Sequence, residues 1–306
     1  MKMNLANIKK AKKLLNKSEC VAIPTETVYG LAGNAYSDKA CKKIFKLKKR
    51  PKNNPLIVHY FNYKNLKKDC NYNLDFIKLY KKFCPGPITF ILDLNKSSKI
   101  SKIATNKKKT LGVRFPKHPV TRNLLKRLDF PLAAPSANIS TKVSAVCSSD
   151  VEDDFGKKIK YILEGGRSSI GVESTIIDLR NKPKILRLGG LSISKIQQVL
   201  KKKLKIHNKP KKISAPGQSK LHYSPGIPIR FNIKKIKNKE AYLIIKKKKI
   251  MKPNYYFLSK KGDLKEAAKN LYSILRKIKK HNYKSIAVGK IPDKDLGKTI
   301  NTYQIW

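Results

Sequence analysis

The sequence predicts a mixed α/β protein of two domains, and three observations carry this prediction. The chain has 306 residues, more than the roughly 100–200 typical of one domain, although one large domain is the other option that this length allows. Short apolar runs typical of buried strands alternate with amphipathic stretches of helical period. A stretch without periodicity, residues 205–228, is rich in Lys, Ser, Pro and Gly. We therefore expect domains at 1–204 and 229–306, joined by a linker at 205–228.

Predicted helices and strands alternate along residues 1–204. Asp38 near its start and Pro51 after its end set the limits of the second helix, and Pro119 suits the first turn of another. The predicted helices span 5–17, 38–50, 74–83, 119–128 and 193–204. The predicted strands span 20–24, 55–60, 88–94, 110–116, 131–137, 161–166, 174–179 and 184–189.

The alternation resumes after residue 230 in a smaller unit. Strands are predicted at 241–246, 255–259 and 285–289, and a long helix at 263–279. The sequence contains no internal repeat, so we expect the second unit to have its own small α/β core rather than to duplicate the first.

The chain is strongly basic. It carries 71 Lys+Arg against 19 Asp+Glu, which gives a net charge of +52. This charge suggests a polyanionic partner, because lysine and arginine displace counterions from phosphates. A genome that fills exposed positions with lysine would produce the same excess. Arginine, which is favoured for bidentate anion recognition, accounts for nine of the 71, so the individual arginines are more informative than the lysines.

Several classes of protein do not fit the sequence. Apolar residues make up 40% of the chain, too many for a disordered protein. No stretch approaches the roughly 18–20 apolar residues of a membrane span, and the N-terminus has no secretory apolar segment. The five cysteines have no paired spacing, and the five histidines form no zinc-binding pattern. We therefore expect reduced thiols and a cytoplasmic protein without membrane contact.

An enzyme with this sequence would work without the common catalytic motifs. The sequence has no phosphate loop, no GxGxxG, no GxSxG elbow and no cluster of acidic residues that suits a metal ion. We therefore expect no metal bound by protein side chains. Catalysis would depend on cationic clamps and on hydroxyl or backbone donors.

Small and polar residues gather where several predicted strands end. Each segment also has a plain structural interpretation, namely a turn, a basic helix terminus at Lys48 and Arg50, or a structural histidine at position 59. Together they favour a ligand site, because ligands of open α/β sheets bind beyond the carboxyl ends of strands. The segments are IPTETVYGLAGNA (23–35), KLKKRPKNNPLIVH (46–59), AAPSANIS (133–140), GVEST (171–175) and RLGG (187–190).

Seven motifs between residues 24 and 190 resemble those of one family. They are PTETVYGL (24–31), KKRPKNNPLIVH (48–59), PGPITFIL (85–92), GVRFPKHP (112–119), APSANIS (134–140), GVESTIIDL (171–179) and ILRLGG (185–190). As a set they resemble the YrdC-like domain of L-threonylcarbamoyladenylate synthases. PGQSKLHYSPGIP (216–228), LYSILRK (271–277) and IPDKDLGKTIN (291–301) resemble the linker and second domain of the two-domain members. The resemblance implies a YrdC-like twisted mixed-sheet domain followed by a small Rossmann-like α/β domain.

The resemblance also implies a reaction. L-threonine, bicarbonate and ATP, with Mg²⁺ accompanying the ATP, would give L-threonylcarbamoyl-AMP and diphosphate. A partner enzyme, a threonylcarbamoyl transferase, would pass the threonylcarbamoyl group to an adenosine next to the anticodon of tRNA, and tRNA itself is a further candidate partner. The linker would lie over the site as a lid and protect the product from hydrolysis.

The resemblance assigns site residues motif by motif. L-threonine would contact Thr27, His59, Arg114, Ala134 and Ser174. ATP would contact Arg50, Asn54, Thr110, Ser136, Asn138, Ser144, Arg187 and Tyr223. Lys48 and Arg50 would form the catalytic basic clamp.

Two other functions stay open at this point. A non-catalytic YrdC-like module that binds double-stranded RNA or tRNA would account for the basic charge. A carbamoyl-transfer module, as in hydrogenase maturation proteins, would usually carry acylphosphatase-like and zinc-finger segments. The cysteine spacing does not support such segments.

Overall fold

The computed structural model describes residues 4–207 and 224–302. The helices are α1 (Leu5–Asn16), α2 (Asp38–Lys48), α3 (Tyr63–Leu66), α4 (Leu74–Phe83), α5 (Lys102–Thr105), α6 (Pro119–Lys126), α7 (Ser148–Phe155), α8 (Ile193–Leu200), α9 (Leu264–Lys279) and α10 (Asp295–Thr302). The strands are β1 (Val21–Ile23), β2 (Gly30–Asn34), β3 (Ile57–His59), β4 (Ile88–Asp93), β5 (Thr110–Arg114), β6 (Leu132–Ala133), β7 (Thr175–Asp178), β8 (Lys184–Arg187), β9 (Lys205–Ile206), β10 (Ile229–Arg230), β11 (Glu240–Lys246), β12 (Tyr255–Ser259) and β13 (Ser285–Val288). Within these described residues, no helix is long and apolar enough to cross a membrane.

A nine-stranded mixed sheet forms the framework of the first domain. Its strand order is β1-β2-β6-β3-β5-β4-β7-β8-β9. β3 is parallel to β5, and β4 is parallel to β7, whereas β4 and β5 are antiparallel. The cores lie on both faces of this sheet, because α1 and α6 pack on one side and α2, α4 and α8 on the other. The mixed-sheet α/β fold expected for this domain is confirmed.

The second domain is built on a separate, smaller sheet. Its four strands run in the order β10-β13-β11-β12, and all of the neighbouring pairs are parallel. α9 connects β12 to β13 and buries one side in the core of this domain. A parallel pair needs a crossover of this kind, so the arrangement is the small Rossmann-like α/β unit predicted from the sequence.

The end of α2 places two of the predicted site residues. The Ser37 side chain caps the start of the helix. Lys49 closes it in the left-handed conformation, with φ 48° and ψ 42°. The chain turns out of the helix at this point, so Lys48 remains in the last turn while Arg50 begins the loop that leads to β3.

One predicted strand and one predicted turn differ from the structure for tertiary reasons. Residues 161–166 form no strand, and Ile162 makes only an isolated bridge to Ala22. The chain turns there instead, with Gly166 at φ 71°. Conversely, residues 30–34, which were expected as a glycine-containing loop, form β2 between β1 and β6. Pairing on both sides of β2 outweighs the weak strand propensity of its glycines.

The first domain extends further than the predicted boundary at residue 204. Lys205–Ile206 form β9, which pairs in parallel with β8 at the edge of the sheet. Residues 208–223 lie outside the described residues, and with them Tyr223 and the lid predicted for this segment. Beyond them, the Ser224 N–H donates to the Thr141 carbonyl oxygen at 2.7 Å, so the chain contacts the first domain before it enters β10.

The two domains share an apolar interface built around α9. Four first-domain residues belong to the same hydrophobic cluster as the buried face of α9, namely Val28, Val143, Val146 and Val172. Gly171 has φ 78°, and a Cβ atom there would lie 2.5 Å from the Cα of Lys269 on α9. Glycine therefore allows both the backbone conformation and the close approach of the helix.

Candidate active site

A cavity opens at the edge of the large sheet. It lies where β3, β5 and β8 end and where β7 begins. Its lining residues are Thr25, Val28, Tyr29, Gly30, Arg50, Ile57, His59, Arg114, Ala134, Pro135, Ser136, Glu173, Ser174 and Arg187. The structure thus brings together the sequence-predicted residues Arg50, His59, Arg114, Ala134, Ser136, Ser174 and Arg187.

Two parallel strands place His59 beside Arg114. The two residues are register partners at the ends of β3 and β5. Burial lowers the pKa of His59 well below its ordinary value, and the positive charge of Arg114 lowers it further. The imidazole is therefore neutral at pH 7. Its Nδ1 has no hydrogen-bond partner among the described residues, so this nitrogen is available to a ligand.

A buried carboxylate holds Arg114 in place. Arg114 Nη2 donates to Glu26 Oε1 at 2.8 Å, and each side chain is 6% exposed. The other oxygen of Glu26 accepts a hydrogen bond from the Lys117 N–H at 2.8 Å. Arg114 Nε has no partner within the described part of the chain. The guanidinium is thus fixed in position and keeps a donor for an anionic ligand.

The PTETVYG segment forms a tight turn beside this pair. Thr25 Oγ1 donates to the Val28 carbonyl oxygen at 2.6 Å. Thr27 Oγ1 lies 2.9 Å from Thr25 Oγ1. Thr25 lines the cavity, whereas the fully buried Thr27 is not among the described residues that line it. The structure therefore places Thr27 directly behind the wall, and sequence reasoning missed Thr25.

Ser174 and Arg187 form another part of the cavity wall. Arg187 donates from Nε and Nη2 to the Ser174 carbonyl oxygen at 3.0 and 2.9 Å, and from Nη2 to Ser174 Oγ at 3.0 Å. Ser174 Oγ also lies 2.7 Å from Thr89 Oγ1. These contacts hold a guanidinium and a hydroxyl group together at the edge of the sheet.

Arg50 is oriented by the loop that follows it. Its Nε donates to the Asn54 carbonyl oxygen at 2.9 Å, and its Nη2 donates to Asn54 Oδ1 at 2.7 Å and to the Pro55 carbonyl oxygen at 2.9 Å. Asn54 is buried and is not among the described lining residues. Its position indicates that it orients Arg50 rather than facing the cavity itself.

Lys48 supports the APSAN loop from below. Its Nζ donates to the carbonyl oxygens of Ser136 and Asn138 at 2.6 and 2.5 Å. Burial lowers the pKa of Lys48 well below its ordinary value, and the charge of Arg50 adds to this, while Asp154 and Glu173 act in the opposite direction. Asn138 is also occupied within the loop, since its Nδ2 donates to two backbone carbonyl groups. A direct contact of either side chain with a substrate stays a prediction.

Ala134 and Ser136 contribute the backbone edge of the same loop. The Ala134 N–H donates to the Ile57 carbonyl oxygen at 2.9 Å. Ser136 forms an isolated bridge with Gly30 and is half-buried. The small residues at these positions let the loop pass close to β2 and β3, so Ser136 reaches the cavity.

Glu173 is a lining residue that sequence reasoning missed. Its Oε1 accepts a hydrogen bond from Ser144 Oγ at 2.5 Å, and its Oε2 accepts one from the Tyr272 hydroxyl at 2.5 Å. Ser144 is fully buried and is not among the described lining residues, but its hydroxyl group holds this carboxylate. The GVEST motif contained a signal for Glu173, because a carboxylate among basic motifs is unusual in so basic a chain. Tyr272 lies on α9 of the other domain, in the LYSILRK motif (271–277), which the sequence did not connect with the site.

Two predicted ATP contacts, Thr110 and Tyr223, are neither lining residues nor partners of one among the described residues. Thr110 begins β5 while Arg114 ends it, and the four steps along the strand between them span roughly 13 Å. A nucleotide would have to reach the far end of that strand to touch Thr110. Tyr223 lies outside the described residues. Both assignments stay predictions.

The charges of the cavity suit a substrate with several anionic groups. Among the described lining residues, the cations are Arg50, Arg114 and Arg187, and Glu173 is the carboxylate. Three of the nine arginines in the chain therefore meet at one site, where guanidinium groups can bind carboxylate and phosphate oxygens in pairs. Within the described ranges, no group of three His, Cys, Asp or Glu side chains could hold a metal ion.

Comparison with known proteins agrees with this geometry. The Sua5/YciO/YrdC family model, described as telomere recombination, matches residues 13–189. The model described as threonylcarbamoyl-AMP synthase, C-terminal domain, matches residues 191–302. The threonylcarbamoyl-AMP synthase of Pyrococcus abyssi is 35% identical over 311 aligned positions, which cover 94% of this chain and 89% of the relative. That of Bacillus subtilis is 38% identical and covers 74% of this chain and 66% of its own.

Solved structures give the same result for the fold. The crystal structure of P. abyssi Sua5 complexed with L-threonine has a TM-score of 0.90 at 31% identity, covering 99% of this chain and 94% of that one. A full-length HypF structure has a TM-score of 0.54 over 60% of this chain, and at 24% identity it shows the shared fold alone. The family models, the relatives and the two-domain architecture agree, and the chain belongs to the Sua5/YciO/YrdC family in the two-domain form that carries a threonylcarbamoyl-AMP synthase C-terminal domain.

Proposed function

We propose that this protein is a threonylcarbamoyl-AMP synthase, which makes L-threonylcarbamoyl-AMP and diphosphate from L-threonine, bicarbonate and ATP. The observation that carries the proposal is the convergence of three arginines and a neutral, partly unpaired histidine on one cavity of a chain whose relatives bear this name. Arginine pairs suit the carboxylate and phosphate groups of these substrates, and a neutral imidazole suits a hydroxyl group.

On the threonine side, Arg114 would bind the substrate carboxylate through the guanidinium that Glu26 holds. The Nδ1 of His59 would bind the threonine hydroxyl, and Ser174 and the backbone at Ala134 would complete the pocket. Thr27 would act from behind the wall by holding Thr25, which faces the cavity.

On the ATP side, Arg50 and Arg187 would bind phosphate oxygens, and Ser136 would contribute its hydroxyl from the loop. The other ATP-site residues would act through these groups, since they hold a lining residue or the loop that carries one, namely Asn54, Lys48, Asn138 and Ser144. Arg50 and Lys48 thus keep the clamp role expected from the sequence, with Lys48 as its support.

The reaction needs no protein nucleophile. The threonine nitrogen forms a bond to the carbon of bicarbonate as water leaves, and an oxygen of the resulting carbamate attacks the α-phosphorus while the bond to diphosphate breaks. The protein orients the reactants and stabilises negative charge on the phosphates. Mg²⁺ would enter with ATP, bound mostly to phosphate oxygens and water.

The product is a reactive adenylate and needs an acceptor. We propose that a threonylcarbamoyl transferase consumes it to modify adenosine next to the anticodon of tRNA, and that this takes place in the cytoplasm. The excess of lysine is compatible with tRNA as a further partner. The relatives bear the names of synthases, so they give no support to the alternative of a non-catalytic RNA-binding module.

The test mixes the full-length protein with ATP, L-threonine and bicarbonate and measures diphosphate release together with the mass of the adenylate. We expect one diphosphate for each adenylate, and neither product when threonine is omitted. Diphosphate release that does not require threonine, or no adenylate at saturating substrates, would reject the proposal.

A further inference from the structure

A hydroxyl group of the second domain contacts a residue that lines the cavity. Tyr272 lies on α9, is fully buried, and donates to Glu173 Oε2 at 2.5 Å. The other oxygen of Glu173 accepts from Ser144 Oγ at 2.5 Å. A carboxylate from the first domain is thus clamped between a hydroxyl group of its own domain and one from the other domain.

The orientation of the Glu173 carboxylate matters because arginines lie on the same cavity wall. It shares the cavity wall with Arg50 and Arg187, which suit phosphate groups. A carboxylate released from its two hydroxyl partners would form an ion pair with one of these guanidinium groups, because charge-assisted pairs are stronger than bonds to neutral donors. A guanidinium engaged in that way is not available to ATP.

The same helix fixes the segment on the other side of Glu173. Arg276 follows Tyr272 by four positions and therefore lies on the same face of α9. It donates to the Val143 carbonyl oxygen at 2.8 Å and to Asp154 Oδ2 at 2.8 Å. The backbone next to Ser144 and the carboxylate that Ser144 contacts are thus both held by α9.

We infer that Tyr272 is a positioning residue of the active site, which keeps the Glu173 carboxylate turned away from the arginines that bind ATP. This inference rests on the proposed function, because it assigns those arginines to ATP. It gives the second domain a part in ATP binding that no feature of the sequence indicated. Tyr272 touches neither substrate and acts through Glu173.

The test compares Tyr272→Phe with a matched control. The control is Tyr256→Phe, which removes a hydroxyl group from the same hydrophobic core, where it lies 3.3 Å from the Tyr283 hydroxyl; Tyr256 is not among the described residues that line the cavity. We expect Tyr272→Phe to raise the KM and the Kd for ATP roughly tenfold. The Glu173 carboxylate then loses the hydrogen bond from Tyr272 and competes with ATP for a guanidinium group. The KM for threonine should change less than about twofold, and Tyr256→Phe should leave both KM values unchanged.

A double variant distinguishes a positioning role of Tyr272 from a role in folding. In Glu173→Gln the charge that would capture an arginine is gone, so adding Tyr272→Phe should change the Kd for ATP little. The inference is overturned if Tyr272→Phe behaves like Tyr256→Phe, if it raises both KM values alike, or if its effect persists in the Glu173→Gln background.

The proposed function and the inference about Tyr272 can be rejected by different results. A parent protein that releases no threonine-dependent diphosphate would reject the synthase, while calorimetric titration with ATP would still decide the inference by comparing the parent with the variants. A parent protein that binds no ATP at all would overturn both.

Discussion

Replacing Glu26 by Gln tests how the protein prepares Arg114 for a carboxylate. The pair is buried, with each side chain 6% exposed, and the Nη2–Oε1 distance is 2.8 Å. Removing one partner of a buried ion pair costs about 3–5 kcal/mol. Because glutamine keeps an oxygen that can accept the hydrogen bond from Nη2, we expect Glu26→Gln to lower the free energy of unfolding by about 3 kcal/mol, near the low end of that range.

The same change should strengthen threonine binding. Without the Glu26 carboxylate, the carboxylate of threonine becomes the partner of the Arg114 charge. The repulsion between the two carboxylates also disappears. Two like charges about 6 Å apart repel by roughly 3 kcal/mol at an effective dielectric constant of about 20. We therefore expect a 10- to 100-fold lower Kd for threonine, as an order of magnitude.

Thermal melts with and without threonine measure both effects. Glu26→Gln should melt about 6–12 °C below the parent protein. Saturating threonine should then raise its melting temperature by more than it raises that of the parent. Glu240→Gln is the control, because it breaks a pair with Arg230 in the second domain, outside the residues that line the cavity. A threonine-induced rise in Glu26→Gln no larger than in the parent would refute the reasoning.

The remaining predictions concern ATP, specificity and acid stability. Arg50→Ala should raise the KM for ATP at least tenfold, because a charged phosphate contact is worth about 2–5 kcal/mol; unchanged rates at limiting ATP would contradict this. L-valine should be turned over far more slowly than L-threonine in the adenylate assay, since His59 would lose its hydroxyl partner; equal rates would exclude a hydroxyl-binding site. The hydrogen bond from Arg230 lowers the pKa of Glu240 from 4.5 to about 2, so its stabilising contribution is present above pH 4.5 and is lost as the pH falls through about 2. Melting temperatures measured over that range should fall less steeply in Glu240→Gln than in the parent.

Periodicity predicted the elements whose sequence carries local information. The helix predicted at 74–83 is α4 (Leu74–Phe83), because apolar spacing, an N-terminal cap and the following Pro85 all agree there. The strand predicted at 161–166 is reduced to an isolated bridge between Ile162 and Ala22, and the chain turns at Gly166. β2 forms despite two glycines because strands lie on both sides of it. Neither outcome is encoded within the segment itself.

Site residues in motifs at strand ends could be predicted from the sequence. Site residues that depend on contacts between distant parts of the chain could not. His59, Arg114 and Arg187 end three strands, and the fold brings them to one edge. The basic pair in KKRP suggested two phosphate ligands, but a buried Lys48 bonded to backbone oxygens indicates a supporting role. The contact of Tyr272 with Glu173 could not be found from the sequence, because the two residues are 99 positions apart in different domains.

The close approach at Gly171 has a consequence for how such proteins can be recombined. A second domain transplanted from a relative would have to present its long helix with the same backbone contact, because any side chain at position 171 would meet the Cα of Lys269. The surface of the first domain around Gly171 and the surface of α9 around Lys269 must therefore change together. Chimeras joined within the segment between the domains should assemble only when both parent proteins have a glycine at the position that corresponds to Gly171.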